Sequence, residues 1–204
     1  MAMLSVLIGL MPAECPAQDK NDDPDQVYVF GTTVVIPSGL KGTIYYIHSA
    51  KKLNELQKEK PRGTIYTSSL NIPTQDYSLG FPGISKRLEW FAIDYTGKFW
   101  IGKPGEYRWE LTSDDGSMLF IDDKPVIDNG GLHAAVTLTG LTQLSGGIHT
   151  IRVPYFQGIK YQVALVLKIA GPGENFRVFS TEEFKPPANP ETWAFPGSAP
   201  AGAK

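Results

Sequence analysis

Two adjacent carboxylates, Asp114 and Asp115, sit in the middle of Ser113-Asp114-Asp115-Gly116-Ser117, between segments of alternating apolar residues. A vicinal Asp pair supplies the charged oxygen ligands that a hard divalent cation requires. The same residues suit a tight turn, because Asp and Gly tolerate its backbone angles and Asp oxygens accept backbone N–H bonds. Both readings, metal ligand and structural turn, stand open at this point. A second candidate stretch is Asp128-Asn129-Gly130-Gly131-Leu132-His133, an Asn-Gly-Gly loop that can shape a binding rim with Asp128, Asn129 and His133; an ordinary turn is the plain alternative. Other constellations point away from catalysis. The acid and base of a glycosidase stand roughly 5–9.5 Å apart across a sugar, a separation for which adjacent residues are poorly placed. His48, His133 and His149 show no zinc-ligand spacing, and the chain has no G-x-S-x-G element. The expectation is a protein that is not an enzyme. Asp122-Asp123-Lys124 reads as a hairpin turn rather than an acidic cluster, and His149 reads as a half-exposed structural residue within a strand.

The elements that must hold these residues are strands. Trp109, Leu111, Leu119 and Ile121 alternate with polar neighbours on either side of the Asp pair, the period of half-buried strands. Gly (21) and Pro (16) are frequent in the 204 residues, which fits many short strands joined by turns. Further strands are expected at Val27–Phe30, Val34–Ile36, Gly42–Ile47, Thr64–Thr67, Leu88–Tyr95, Phe99–Ile101, Tyr107–Leu111, Ala135–Leu138, Thr142–Leu144, Ile148–Phe156 and Tyr161–Ile169, with Gly97 marking a turn and 71–87 a loop. One helix is expected over Ser49–Lys60, capped by Ser49, with Leu53 and Leu56 on one face and Pro61 ending it. Regular short strands with a single helix give an all-β, antiparallel β-sandwich or barrel. A net charge of −2, without a basic strand face, argues against nucleic acid as a partner. The sole cysteine, Cys15, lies in the leader, so neither a disulfide framework nor a thiolate metal site is available to the folded part. Met3–Met11 is an apolar run too short to span a membrane, and small residues lead to Ala17. Residues 1–17 therefore read as a secretory signal, although no Lys or Arg precedes the apolar run. Residues 18–26 read as an acidic linker, 27–185 as the sandwich, and 186–204 as a Pro/Ala/Gly tail. The mature chain is expected to be exported (periplasmic, cell-surface or secreted) with no transmembrane segment.

Gly105-Glu106-Tyr107-Arg108-Trp109, Ser113-Asp114-Asp115-Gly116-Ser117, Leu119-Phe120-Ile121-Asp122 and Val126-Ile127-Asp128-Asn129 together resemble the core signature of the PA14 domain. A second block, Gly147 to Gln157 and the apolar strand ending at Leu167, continues the resemblance, which covers roughly residues 40–184. It implies a β-sandwich module of secreted toxins, glycosidases and cell-surface adhesins. In the flocculin-type adhesins of this family, paired Asp residues joined by a cis peptide hold a calcium ion that binds sugar hydroxyls. The resemblance thus implies Asp114 and Asp115 as metal ligands, calcium as cofactor and carbohydrate as ligand. The chain departs from that pattern in one place. The adhesins add an Asn and loop carbonyls, whereas Gln157-Gly158-Ile159-Lys160-Tyr161 has no Asn or Asp, and Lys160 is expected to repel a cation. Asp128 and Asn129 are the substitutes at hand. Two functions follow as expectations: a carbohydrate-binding module of the cell envelope, or a module that docks an envelope protein, with the acidic turn purely structural. An aromatic ring beside the Asp pair would mark the first; an exposed apolar patch or open strand edge would mark the second.

Overall fold

The computed structural model describes residues 39–49, 53–84 and 87–187. The leader, the acidic linker, the strand candidates at 27–30 and 34–36, and the tail beyond Pro187 lie outside the described residues. The described chain forms eleven strands: β1 Leu40–Tyr46, β2 Pro61–Thr67, β3 Asn71–Asp76, β4 Phe91–Ile101, β5 Gly105–Asp114, β6 Ser117–Ile121, β7 Lys124–Asn129, β8 Val136–Leu144, β9 Gly147–Gln157, β10 Gln162–Ala170 and β11 Arg177–Val178. They make two antiparallel sheets. One is six-stranded in the order β2-β1-β4-β9-β6-β7, and the other is five-stranded, with β11-β10-β5-β8 in line and β3 added beside β10. The fold is the expected all-β sandwich.

Alternation decides which side chains meet between the sheets. Along β5, Tyr107, Trp109 and Leu111 turn inward while Glu106 and Arg108 face solvent. On the opposite sheet Phe99, Ile93, Tyr155, Val153, Leu119 and Ile121 complete the core. Aromatic edges lock the layers: Phe99 meets Trp109 at 5.9 Å and 82°, and Phe179 at 5.5 Å and 87°. Such pairs add about 0.5–1.5 kcal/mol each beyond burial.

Several expectations need correction. Gly97 marks no turn, since β4 runs unbroken through it. A Cβ there would lie 2.8 Å from Leu40 Cδ2 and 3.3 Å from the Gly39 carbonyl oxygen, so this glycine permits close approach within a strand. Gly140 does the same in β8, against Val126 of β7, and the two short strands expected there are one. Residues 71–87 contain strand β3 and a 3-10 turn at Tyr77–Leu79. Pro73 is tolerated because β3 is an edge strand whose pairing with β10 is already irregular. Among the described residues the expected helix is a 3-10 helix, Leu53–Lys58, and residues 50–52 lie outside the described residues. Side chains three apart eclipse in that geometry, so Leu53 and Leu56 both insert into a second apolar cluster with Tyr45, Ile47, Ala92 and Phe156. His149 is 4% exposed, not half-exposed. Its Nδ1 lies 2.6 Å from Asp122 Oδ2 and its Nε2 lies 3.0 Å from the Ser145 carbonyl oxygen, which makes burial tolerable. Asp122 and Asp123, with φ of 48° and 61°, form the expected two-residue hairpin turn.

Beneath the 3-10 helix, Arg152 Nε donates to Asp94 Oδ1 at 2.8 Å and Oδ2 at 3.0 Å, and its guanidinium lies over the Phe120 ring. So short a helix is held by tertiary packing rather than by its own hydrogen bonds. Leu56→Ala should therefore cost about 2–4 kcal/mol in urea denaturation; a cost below about 0.5 kcal/mol would show that this cluster does not support the fold.

Candidate functional site

At one end of the sandwich, where the longer β3-to-β4 passage also crosses, three short segments carry the chain between the two sheets. Asp115-Gly116 carries it from β5 to β6, residues 130–135 from β7 to β8, and residues 158–161 from β9 to β10. The acidic turn is thus a crossing between layers, not a hairpin. Its tightness explains the sequence. A Cβ at Gly116 would lie 2.4 Å from Phe156 Cε1 and 2.8 Å from the Gly131 carbonyl oxygen, so only glycine fits. The Asp114–Asp115 peptide is cis.

Asp115 gathers the three crossings. Its Oδ1 accepts the His133 N–H at 3.0 Å, from the second crossing. Its Oδ2 accepts the Gly158 N–H at 2.8 Å, from the third, with the Gln157 amide at 3.3 Å. Gln157 is fully buried, and its Nε2 also reaches the carbonyl oxygens of Ile159 at 3.1 Å and Gln162 at 3.0 Å. Its Oε1 lies 2.6 Å from the Tyr155 hydroxyl, which is in turn 2.7 Å from the Asp114 carbonyl oxygen. Asn129 works one layer below. Its amide donates to Ser113 Oγ at 3.0 Å and to the Val136 carbonyl at 3.0 Å, tying β7 to β8.

Above this network lies a recess of about 300 Å³. Asp114 and Asp115 form its acidic part, His133 and Leu132 come from the second crossing, and Ile159 and Tyr161 from the third. Asp114, Asp115 and His133 are therefore brought together, as the sequence reading expected. Asp128 and Asn129 do not line the recess. Asp128 is exposed and accepts the Gly130 N–H at 3.0 Å, while Asn129 is buried behind the loop. Lys160 pairs with Glu89 at 3.6 Å. Sequence reasoning missed Gln157 as a hub and Tyr161 as a wall. The signals were present, a polar residue inside an apolar strand and an aromatic in a turn, but neither specifies a direction. A larger hollow, about 520 Å³, lies between β2 and β3 and is lined by Thr64, Ile65, Asn71, Pro82 and Tyr95 among others, with no ionisable acid or base except Tyr side chains.

Burial dominates the electrostatics. Asp114 is pushed up to about 6, first by desolvation and then by the adjacent Asp115 charge; His133 and the Ala135 N–H oppose the shift. Desolvation also raises Asp115, against the Gly158 and His133 N–H bonds. Among the described residues no Lys or Arg pairs with either carboxylate, and no set of three His, Cys, Asp or Glu is arranged so that its side chains alone could hold a metal ion. The donor set fits a hard cation in part: two carboxylates provide the charge, and further oxygens would have to come from water or from a ligand's hydroxyls.

Fold and site together define a two-sheet β-sandwich module with an acidic, loop-built recess at one end. The chain belongs to the PA14 domain family, which matches residues 38–175. Among solved structures it is similar to the PA14 domain of MpAFP antifreeze protein (16% identity, TM-score 0.60, covering 76% of this chain and 94% of that one). It is also similar to a PA14 sugar-binding domain from an RTX adhesin (18% identity, TM-score 0.57, covering 71% and 96%). A third is an anti-sigma factor domain-containing protein (19% identity, TM-score 0.59, covering 74% of this chain), of which this chain spans about half, 49%. No curated protein sequence matches the chain.

Two predictions follow from the geometry. Gln157→Ala leaves the Ile159 and Gln162 carbonyls without their buried donor; it should cost about 1–3 kcal/mol and speed amide hydrogen exchange across 158–161, and unchanged exchange would contradict the hub role. Because Asp114 and Asp115 are harder to ionise folded than unfolded, their contribution to stability is complete below the ordinary carboxylate range and is lost as pH rises, that of Asp114 through about 6. In metal-free buffer Asp114→Asn should thus flatten the fall in stability between about pH 4 and 7 and gain about 1–2 kcal/mol at pH 7, less than the full displacement implies because water in the recess screens the charge. A wild-type profile that climbs over that range would contradict it.

Proposed function

We propose that this protein is a non-catalytic carbohydrate-binding module of the cell exterior or envelope, acting through the recess at Asp114 and Asp115. The observation that carries the reading is the convergence of two buried carboxylates, unpaired with any Lys or Arg among the described residues, on the floor of an open recess. Buried carboxylates without a cation partner are costly to ionise and point to a binding role. The likeness to a PA14 domain described as sugar-binding supports the ligand class, and the signal-like leader supports export. No helix among the described residues is long and apolar enough to cross a membrane. We further propose that Asp114 and Asp115 hold calcium; when bound, the ion would supply open coordination positions for vicinal sugar hydroxyls. Asp115 is already committed to three N–H donors, so Asp114 is the side chain freer to turn toward an ion.

A second reading has its own observation. Along edge strand β8, Val136 and Leu138 are each 39% exposed and Leu141 is 62% exposed, a surface on which an envelope protein could dock.

The test is calorimetry with calcium at pH 7, followed by a glycan array with and without the ion. The wild type should bind calcium with a Kd of about 10⁻⁴–10⁻³ M, the range of extracellular modules, and more weakly below about pH 6, where protons compete at Asp114. Asp114→Asn should abolish binding while remaining folded. Glycan binding without calcium would remove the ion from the account and keep the carbohydrate; a blank array in both conditions would overturn the reading and turn the search to the β8 surface.

A further inference from the structure

We infer that strand β8 is a pairing edge whose partner is the β8 strand of a second copy of this chain. The two strands join antiparallel, so the five-stranded sheet runs on into its twin. This is independent of what the recess binds. Every other sheet edge among the described residues carries a device that discourages pairing, as natural edges do through Lys, Pro, bulges or short strands. β2 opens with Pro61-Arg62, and its register with β1 shifts. β7 opens with Lys124-Pro125 and shifts against β6. β3 holds Pro73 and shifts against β10, and β11 has only two residues. β8 has none of these. Its nine residues, Val136–Leu144, include no proline and no charge, and they pair with β5 in unbroken register.

Burial points to a missing neighbour. Val136 lies opposite Ser113 and Leu138 opposite Leu111, both fully buried, so these two side chains turn toward the core layer. Each is nonetheless 39% exposed. Leu141, opposite the solvent-facing Arg108, is 62% exposed on the outer face. Apolar side chains thus stand open on both faces of one edge. The Val136 carbonyl takes the Asn129 amide. Among the described residues, 137–143 make no backbone hydrogen bond except to β5. A strand laid alongside satisfies the open backbone groups and covers Leu138 and Leu141 together.

A second copy fits this edge by chemistry and by symmetry. The edge offers no charge with which to select a different partner, and pairing it with itself opposes no like charges. Net charge is only −2, so the copies repel each other weakly. Antiparallel pairing sets a two-fold axis perpendicular to the sheet, an isologous contact that closes at two copies and leaves no β8 edge free. The core-facing sides of both copies then lie on the same face of the joined sheet. One strand pair is a small contact beside the roughly 1,200–2,000 Å² of stable complexes, so the dimer is expected to dissociate readily. β8 starts from the crossing that carries Leu132 and His133. The two recesses therefore sit at opposite poles of the dimer, which suits bridging between two surfaces rather than a double grip on one.

The experiment is sedimentation equilibrium of the full chain from about 1 µM to about 1 mM, with reductant to keep Cys15 a thiol, and amide hydrogen exchange at both ends of that range. The wild type should pass from monomer to dimer within it and go no further. Exchange should slow at least about threefold over 137–143 at the high end and stay unchanged in β2, β3 and β7. Leu138→Lys, an inward charge at the edge, and Leu141→Lys, on the outer face, should each raise the dimer Kd at least about tenfold. Both should keep a cooperative melt within about 5 °C of wild type; where Leu138→Lys is not stable, Leu141→Lys and the exchange pattern decide. A wild type that stays monomeric to about 1 mM would overturn the inference and leave the edge to an envelope protein. A dimer that survives both substitutions, or slowed exchange at another edge, would overturn it by placing the contact elsewhere. Assembly beyond the dimer would contradict the closed pairing.

Discussion

One buried carboxylate holds the functional end of this sandwich together. Asp115 accepts N–H groups from the two other short sheet crossings, through His133 and Gly158, and takes the Gln157 amide as well. Charge-assisted bonds of this kind are about twice as strong as neutral ones. Three loops that the sheets alone would merely bring near one another become a single assembly. Gly116 makes the arrangement possible by letting the chain pass between Phe156 and Gly131 without a side chain.

The division of labour between the two Asp residues follows from their partners. Asp115 is a structural anion, satisfied by donors from loops it does not belong to. Asp114 has the Ala135 N–H and an unfavourable neighbour, and it is the group pushed up to about 6 by burial and by Asp115. Paired acidic residues in a half-desolvated site leave charge that a ligand or an ion can relieve. At the opposite end of β6, Asp122 shows the reverse balance. Burial works against its ionisation, but hydrogen bonds from His149 and Thr150 outweigh that and hold it below its ordinary range. Asp122 lies in a turn and Asp114 at the end of β5; their neighbours separate the structural one from the candidate site.

The sequence made the architecture legible where period and punctuation agree. Trp109 and Leu111, then Leu119 and Ile121, alternate cleanly and lie inside the core as expected. Asp122-Asp123 formed the hairpin turn its composition calls for. Gly97 was read less well, because it carries the same letter as a turn glycine while serving close approach within a strand. The helix was misjudged for a related reason: Leu53 and Leu56 fit either helical geometry, and only the cluster they enter decides between them. At the site, Asp114, Asp115 and His133 were legible from composition and from the family resemblance. Gln157 and Tyr161 were not, because their roles depend on which way a strand end and a crossing loop face. That direction comes from the pairing of β9 with β4 and of β10 with β5, contacts between residues far apart in the chain.

The central claim is that ligand binds at the end where the three crossings meet. The most direct measurement is a two-dimensional amide NMR titration of the folded chain with the glycan of highest affinity on the array. The account predicts that the large shifts fall on Asp115, Leu132, His133, Gly158, Ile159 and Tyr161. Shifts that cluster instead around Thr64, Ile65 and Asn71, in the larger hollow between β2 and β3, would contradict it.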